Sequence, residues 1–280
     1  MRQIELPAPL LEIPDKPKGK LWLEGDLPDP SEYIYIAFVG SRAYSTYGRE
    51  ACEEIIAGLA GYPFVIVSGL AIGMDTIAHR AAMRAKLPTV AIPGSGIDPK
   101  VIYPAQNKQL AREILENGGA LLSEYEPTYR ATTWSFPQRN RIMAGLCRAT
   151  VIVEAREKSG TLITARLALE YNRDVFAVPG SIFAEGSQGP HLLLRDGAIP
   201  LTSAADILRN YNLESGTERE LPLENLLPTE LIVYEILREP TSRDNLIAAL
   251  ELPTHEANSI LTLMEMKGLI KETLGEIRRA

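Results

Sequence analysis

Ile34-Tyr35-Ile36-Ala37-Phe38-Val39-Gly40-Ser41-Arg42 is the stretch that decides the fold class. Six apolar and aromatic residues run without a charged break and stop on a glycine, the pattern of a strand buried on both faces that exits into a tight turn. Similar short apolar runs recur at 64–67, 89–92, 120–122, 150–153 and 175–178. Between them lie stretches, about 47–60, 74–86, 105–117, 139–147 and 161–172, whose apolar residues recur at three- and four-residue spacing, as in Ile55, Ile56, Leu59 and Ile163, Leu167. Strand and helix signals alternating in this way predict a doubly wound α/β domain over 34–209, with a mostly parallel sheet and helices on both faces. Residues 1–33, rich in proline and glycine, read as an extended lead-in packed on that core. A polar, proline-punctuated segment at 210–228 reads as a linker. Beyond it, 229–280 holds three short helical stretches at 230–238, 242–250 and 254–267. Gly268 is expected to end the last of them, and a hairpin of 269–273 with 276–279 is expected to turn at Leu274-Gly275. Three helices and a hairpin predict a winged-helix-like domain.

Composition narrows the classes. The 280 residues carry 29 Lys+Arg against 36 Asp+Glu, a formal net charge of −7, with 45% apolar and 23% charged residues, a globular balance. Two cysteines, Cys52 and Cys147, are too few for a disulfide framework and read as reduced, buried thiols of a cytoplasmic protein. No apolar run approaches the roughly 18 residues of a membrane span. Residues 1–7 lack the apolar core of a secretory signal. The acidic total argues against a nucleic-acid partner until it is divided. Residues 130–173 hold eight basic and three acidic side chains, a net of +5, whereas 1–129, 174–219 and 220–280 carry −4, −3 and −5.

Ligands of doubly wound sheets bind beyond the carboxyl ends of the strands. Here those ends run into Gly40-Ser41-Arg42, Ser68-Gly69, Gly94-Ser95-Gly96, Ser159-Gly160-Thr161 and Pro179-Gly180-Ser181. Glycine lets backbone N–H groups approach a ligand, and a following helix N-terminus adds partial positive charge, so such loops suit phosphate. Any one of them alone is equally well explained as a tight turn. Neither G-x-x-x-x-G-K-[ST] nor G-x-G-x-x-G occurs, which disfavours a P-loop NTPase and a dinucleotide dehydrogenase. His79, His191 and His255 are scattered without ligand spacing. At the centre of the basic block stands Trp134-Ser135-Phe136-Pro137-Gln138-Arg139-Asn140-Arg141-Ile142. Guanidinium forks suit phosphate while rings stack on bases. The alternative is that Arg139 and Arg141 pair with carboxylates and Phe136 fills the core. Asp75 reads as an acidic residue complementing a helix N-terminus. Glu154 either polarises a leaving group or pairs with Arg139 or Arg141. No nucleophile–base–orienter set is recognisable, so no catalytic residue, metal or cofactor is assigned.

Several of these segments carry a family resemblance. Gly40-Ser41-Arg42, 68–79, Leu121-Leu122-Ser123-Glu124-Tyr125, 136–146, Val153-Glu154-Ala155, 159–165, Val178-Pro179-Gly180-Ser181 and 194–198 resemble, in order, the DprA (Smf) family of bacterial DNA-processing proteins. The match covers roughly 10–210. It implies a Rossmann-like core that binds single-stranded DNA, forms a homodimer through that core, protects incoming strands and helps load the RecA recombinase in natural transformation, with no established catalysis. By position it implies that Arg42 contacts phosphate with the backbone of Gly40 and Ser41. Ser68 and Gly69 belong to the same binding edge. Arg139 and Arg141 would line or brace the strand-binding pocket, with Gln138 beside them and Asn140 hydrogen-bonding. Lys158, Ser159, Gly160 and Thr161 would add a phosphate cradle, and Phe136 is the stacking residue. Many members carry Gly-Cys-Gly or Gly-Gly-Gly at 94–96, and some carry an additional N-terminal helical domain. The C-terminal domain is acidic, and its third helix has Glu256 and Glu265 against Lys267, which suits protein interaction or regulation better than groove reading. The alternative function on this fold is a nucleotide-processing N-glycoside hydrolase using Glu154, or a nucleotide-sensing domain. Against the hydrolase, Glu157-Lys158-Ser159-Gly160-Thr161 stands where such enzymes carry Pro-Gly-Gly-x-Gly-Thr.

Overall fold

Alternate residues of the apolar runs pack into different cores, the two-residue period of a strand. In the computed structural model, which describes residues 1–213, 227–250, 252–267, 269–273 and 275–279, Tyr35, Ala37 and Val39 enter one core while Ile36 and Phe38 enter another. Val65 and Val67 part from Phe64 and Ile66 in the same way. Both faces of the sheet are therefore covered, as parallel strands require. The chain divides into two compact units, Met1–Glu214 and Ser215–Ala280.

The first unit runs β1 (Arg2–Ile4), α1 (Ala8–Leu11), β2 (Leu21–Gly25), β3 (Ile34–Val39), α2 (Thr46–Ala57), β4 (Phe64–Ser68), α3 (Met74–Arg84), β5 (Thr89–Ala91), α4 (Lys108–Glu116) and β6 (Ala120–Ser123). It continues through α5 (Ser135–Leu146), β7 (Ala149–Ile152), α6 (Thr161–Glu170), β8 (Asp174–Ala177), α7 (Gln188–Arg195), β9 (Ile199–Pro200) and α8 (Ala204–Asn210). The sheet order is β1-β2-β6-β5-β4-β3-β7-β8-β9. Strands β3 to β9 pair in parallel, and β2 alone opposes them, pairing antiparallel with both β6 and β1. The six apolar runs read from the sequence coincide with β3 to β8.

From β3 the strands follow outward in chain order through β4, β5 and β6, then the order restarts at β7 on the other side of β3. The chain thus reverses its winding between β3 and β7, the topological switch point at which such sheets open a crevice. Helices α5 and α6 cover one face there, with Ile142, Met143, Leu146, Leu162 and Ala165 in its core, and α2 and α3 cover the other with Cys52, Ile56, Met74 and Ala78. Both cysteines are free and buried, and burial pushes both thiols up.

Residues 1–33 are not a separate lead-in. Strand β2 pairs Trp22 with Ser123 and Leu23 with Leu122, β1 pairs with β2, and Leu10 and Ile13 are buried against α5. The boundary expected at 33–34 is therefore absent, because the proline-rich spacing conceals a short strand, paired on both sides, with Leu21 and Leu23 buried on one face. Of the expected 210–228 linker, 210–213 finish α8 and the turn after it, 227–228 open the next helix, and 214–226 lie outside the described residues.

The second unit contains α9 (Pro228–Ile236), β10 (Thr241–Ser242), α10 (Arg243–Ala249), α11 (Thr254–Met266), β11 (Ile270–Thr273) and β12 (Glu276–Arg279), its three strands ordered β10-β12-β11. Ser242 caps α10 by accepting the Asn245 N–H. Val233, Leu246, Leu261, Met264 and Ile277 form its core. This is a winged-helix arrangement, and Gly268 and Leu274, expected at its stop and turn, lie outside the described residues. Lys267 is tied to the buried Glu230 at 2.6 Å, and Glu230 also accepts the Leu227 N–H at 3.0 Å.

Candidate nucleic-acid interface

The crevice at the β3/β7 switch point is a hollow of about 470 Å³. Gly40, Ser41 and Arg42 from the end of β3 form one wall, and Lys158, Ser159, Gly160 and Thr161 before and at the start of α6 form the opposite one. Gly40 is required by close approach, since a Cβ there would lie 2.7 Å from Cγ of Met74. Ser41 ties its own loop through its hydroxyl, which donates to the Ala43 carbonyl at 2.7 Å and accepts the Ala43 N–H at 3.1 Å. Thr161 donates its hydroxyl to the Gly40 carbonyl at 3.3 Å, joining the two walls, and its backbone N–H donates to Ser159 Oγ at 3.2 Å. The N-terminus of α6 therefore opens beside two glycine-bearing loops, an arrangement that favours an anion. Arg42 and Lys158 are exposed and form no ion pair with any described residue. Arg156, also on the rim, is held by Glu185 at 2.9 Å.

Helix α5 supplies the third side with Phe136, Pro137, Arg139, Asn140 and Met143. Phe136 is half-buried. Its ring stands 5.6 Å from that of Tyr103, and a Cβ on Gly94 would lie 2.6 Å from its Cδ1. The third glycine-bearing loop thus gives the ring a seat. Arg139 is 6% exposed and its guanidinium reaches under the floor, donating to the Gly69 carbonyl at 2.5 Å, to the Ile92 carbonyl, and to Asn140 Oδ1 at 3.1 Å. Burial, with Arg42 adding to it and Asp75 opposing, pulls Arg139 down to about 10, so it remains charged at neutral pH. Asp75 accepts the N–H groups of Gly69 and Ala71, both at 3.1 Å, and burial raises its carboxyl against the opposing charge of Arg139. Asp75 does sit in the first turn of α3, and it also fixes the second loop from within.

Not every expected residue meets the hollow. Ser68 and Gly69 are buried beneath it: Ser68 Oγ donates to the Phe38 carbonyl at 2.6 Å, and Gly69 lies against Arg139, where a Cβ would sit 2.6 Å from Cζ. They shape the floor and do not line the opening. Gln138 and Arg141 face away, into a second hollow on the other side of Pro137. There Arg141 pairs with Glu124 and donates to the Asp15 carbonyl at 2.8 Å. Glu154 pairs with neither arginine. Its carboxylate accepts the Ser45 N–H at 2.9 Å and the Ser45 hydroxyl at 2.5 Å, is buried, and lines neither hollow. His79 is buried with Nδ1 2.8 Å from Thr89 Oγ1, His191 Nε2 is 3.1 Å from the Gly180 carbonyl, and His255 is on the surface. Residues 71, 75, 143, 156, 163 and 164 also line the first hollow. The apolar character of Ala71, Met143 and Ile163 conceals them in the sequence, whereas the loop after β7 is already marked there by Ser159-Gly160-Thr161.

Among the described residues, no helix is long and apolar enough to cross a membrane. A family model for DNA recombination-mediator protein A matches residues 1–212, and one for the DprA winged helix domain matches 218–275. The DNA processing protein DprA of Streptococcus pneumoniae is 45% identical over 205 residues, 73% of this chain and 71% of that protein. Protein Smf of Escherichia coli K12 is 43% identical over 204 residues, again 73% of this chain but 54% of the relative, so the match spans about half of that protein's length. The solved DprA of S. pneumoniae superposes with a TM-score of 0.68 at 44% identity, covering 73% of this chain and 70% of that one. DNA processing protein A of Helicobacter pylori, whose structure concerns a single-stranded DNA binding mode, superposes with a TM-score of 0.68 at 30% identity, covering 75% of this chain and 95% of that one. With its α/β unit and its winged-helix unit both matched, the chain belongs to the DNA recombination-mediator protein A (DprA/Smf) family.

Proposed function

We propose that this chain binds single-stranded DNA in the switch-point crevice and acts as a recombination mediator. It would protect incoming strands, help load the RecA recombinase in transformation or general recombination, and work as a cytoplasmic homodimer through its α/β unit. The observation that carries the binding reading is that Arg42 and Lys158, exposed and without an ion-pair partner among the described residues, line one hollow together with a seated aromatic ring. Guanidinium and ammonium groups set across such a hollow suit successive phosphates, and a half-exposed ring suits a base face. Arg139 serves by bracing: its charge is buried under the floor and its donors are taken by backbone carbonyls. Both Glu154 oxygens are engaged with Ser45, which favours a structural role for this carboxylate over service in the alternative hydrolase.

Titration of labelled oligo(dT) tests the reading. Arg42→Ala and Lys158→Ala are each expected to weaken binding and to lower the log–log salt slope by about 0.7, the contribution of one phosphate on a single strand. Neither should change the thermal midpoint. Arg139→Ala, in contrast, strips two buried carbonyls of their donor and is expected to destabilise the fold by about 3 kcal/mol. Unchanged affinity and salt slope in both surface variants would refute the placement. Release of free base from nucleoside monophosphates would support the hydrolase instead.

A further inference from the structure

Beyond Pro137 and Ile163, which border both, lies a second and larger hollow of about 940 Å³. One wall is Lys16-Pro17-Lys18-Gly19-Lys20, and the facing side carries Trp134, Gln138 and Arg141. Lys20 is drawn to Glu5 at 2.7 Å and Arg141 is neutralised by Glu124. Lys16 and Lys18 are exposed and make no ion pair with a described residue, and the buried Pro17 between them anchors the segment that presents them. Trp134, at the N-cap of α5, is 80% exposed, a large indole left in water on the same hollow that Lys16 and Lys18 line. An exposed indole sharing a hollow with such lysines suits a polyanion that also offers flat apolar faces. Single-stranded nucleic acid is that chemistry, because a duplex hides its base faces.

We infer that the strand does not end in the switch-point crevice but crosses the Pro137–Ile163 saddle into this second hollow, where Lys16 and Lys18 hold phosphate and Trp134 stacks on a base. The inference rests on the single-strand reading of the first hollow. It gives the site a direction across the N-terminus of α5. It also assigns a role to residues 16–20, which none of the loop motifs reaches. The two hollows act as one track only for a strand long enough to bridge them.

The test uses the full chain with an oligo(dT) series from four to sixteen nucleotides. In wild type, affinity should rise as length reaches the second hollow. The Lys16→Ala/Lys18→Ala variant should bind the shortest binding oligonucleotide as wild type does, yet lose most of that gain, with the salt slope for long strands falling by about 1.4. Trp134→Ala should lose about fivefold or more on long strands alone, and Trp134→Phe should recover part of it. In the unmodified protein, long strands should shield the exposed indole from acrylamide quenching and the shortest ones should not. If the lysine and tryptophan variants keep wild-type affinity, slope and length dependence, the track is wrong while the first site stands. If the wild type binds no single strand at all, both readings fall.

Discussion

Arg139, Asp75 and His79 show how many ionisable side chains lie beneath the crevice. Each is buried: Arg139 and Asp75 hold the loop after β4, and His79 meets Thr89 of β5. The His79 imidazole is pulled down to about 3 by burial, with the Arg139 charge adding to it. An unfolded histidine titrates near 6.5, so between about 6.5 and 3 the unfolded chain binds a proton that the folded one refuses. This group's contribution is complete above pH 6.5 and is lost as pH falls, by up to about 1.4 kcal/mol per pH unit. Asp75, raised by the same burial, acts in the opposite sense, so the informative quantity is a difference between two chains. Urea unfolding at pH 7.5, 6 and 5 is expected to show wild type losing stability more steeply than His79→Asn. Parallel pH profiles would contradict this. In the sequence Asp75 reads correctly as a residue of a helix N-terminus, but Arg139 reads equally as a phosphate fork, a carboxylate partner or a brace, and His79 as a scattered histidine. Burial of a charged side chain depends on partners 47 and 70 residues away, as the carbonyls of Ile92 and Gly69 are for Arg139.

Elements were easier to read than the contacts between them. The strand from Ile34 to Val39 is marked by its own unbroken apolar run, and so are β4 to β8. Strand β2 escaped because its signal is two buried leucines among prolines, and α5 begins four residues before its helical periodicity is evident because Pro137 lies in its first turn. Helix α2 meets the loop after β7 through its N-cap Ser45 and through Gly48. Gly48 is buried against the Glu154 carboxylate, and a Cβ there would strike it. Gly48→Ala is therefore expected to cost about 1–3 kcal/mol of stability as an overpacked site. Combining it with Glu154→Ala should cost less than the sum of the two changes, because they share one contact. Additive losses in denaturant unfolding would show that the two loops are not coupled there. In the winged-helix unit, the link between Lys267 and the buried Glu230 means that this lysine supports the fold of α9 and α11, whatever the unit binds.

At the scale of the molecule, the net charge of −7 conceals its own distribution. The +5 block of 130–173 supplies Lys158, Arg139 and Arg141 to the two hollows. Folding then brings Arg42 and the 16–20 lysines to the same edge from a segment whose total is −4. Block arithmetic finds a basic segment. It misses basic residues that folding collects from an acidic one. A local positive track inside an acidic protein suits a flexible strand that can follow it, while the overall charge discourages indiscriminate attachment to duplex. The most direct measurement is a side-by-side titration of wild-type protein with oligo(dT) and a duplex of equal length from 50 to 300 mM salt. The account predicts at least a tenfold preference for the single strand throughout, with affinity falling by about 0.7 log units per log unit of salt for each phosphate held. Equal affinity for the two forms, or a single-strand affinity indifferent to salt, would contradict it.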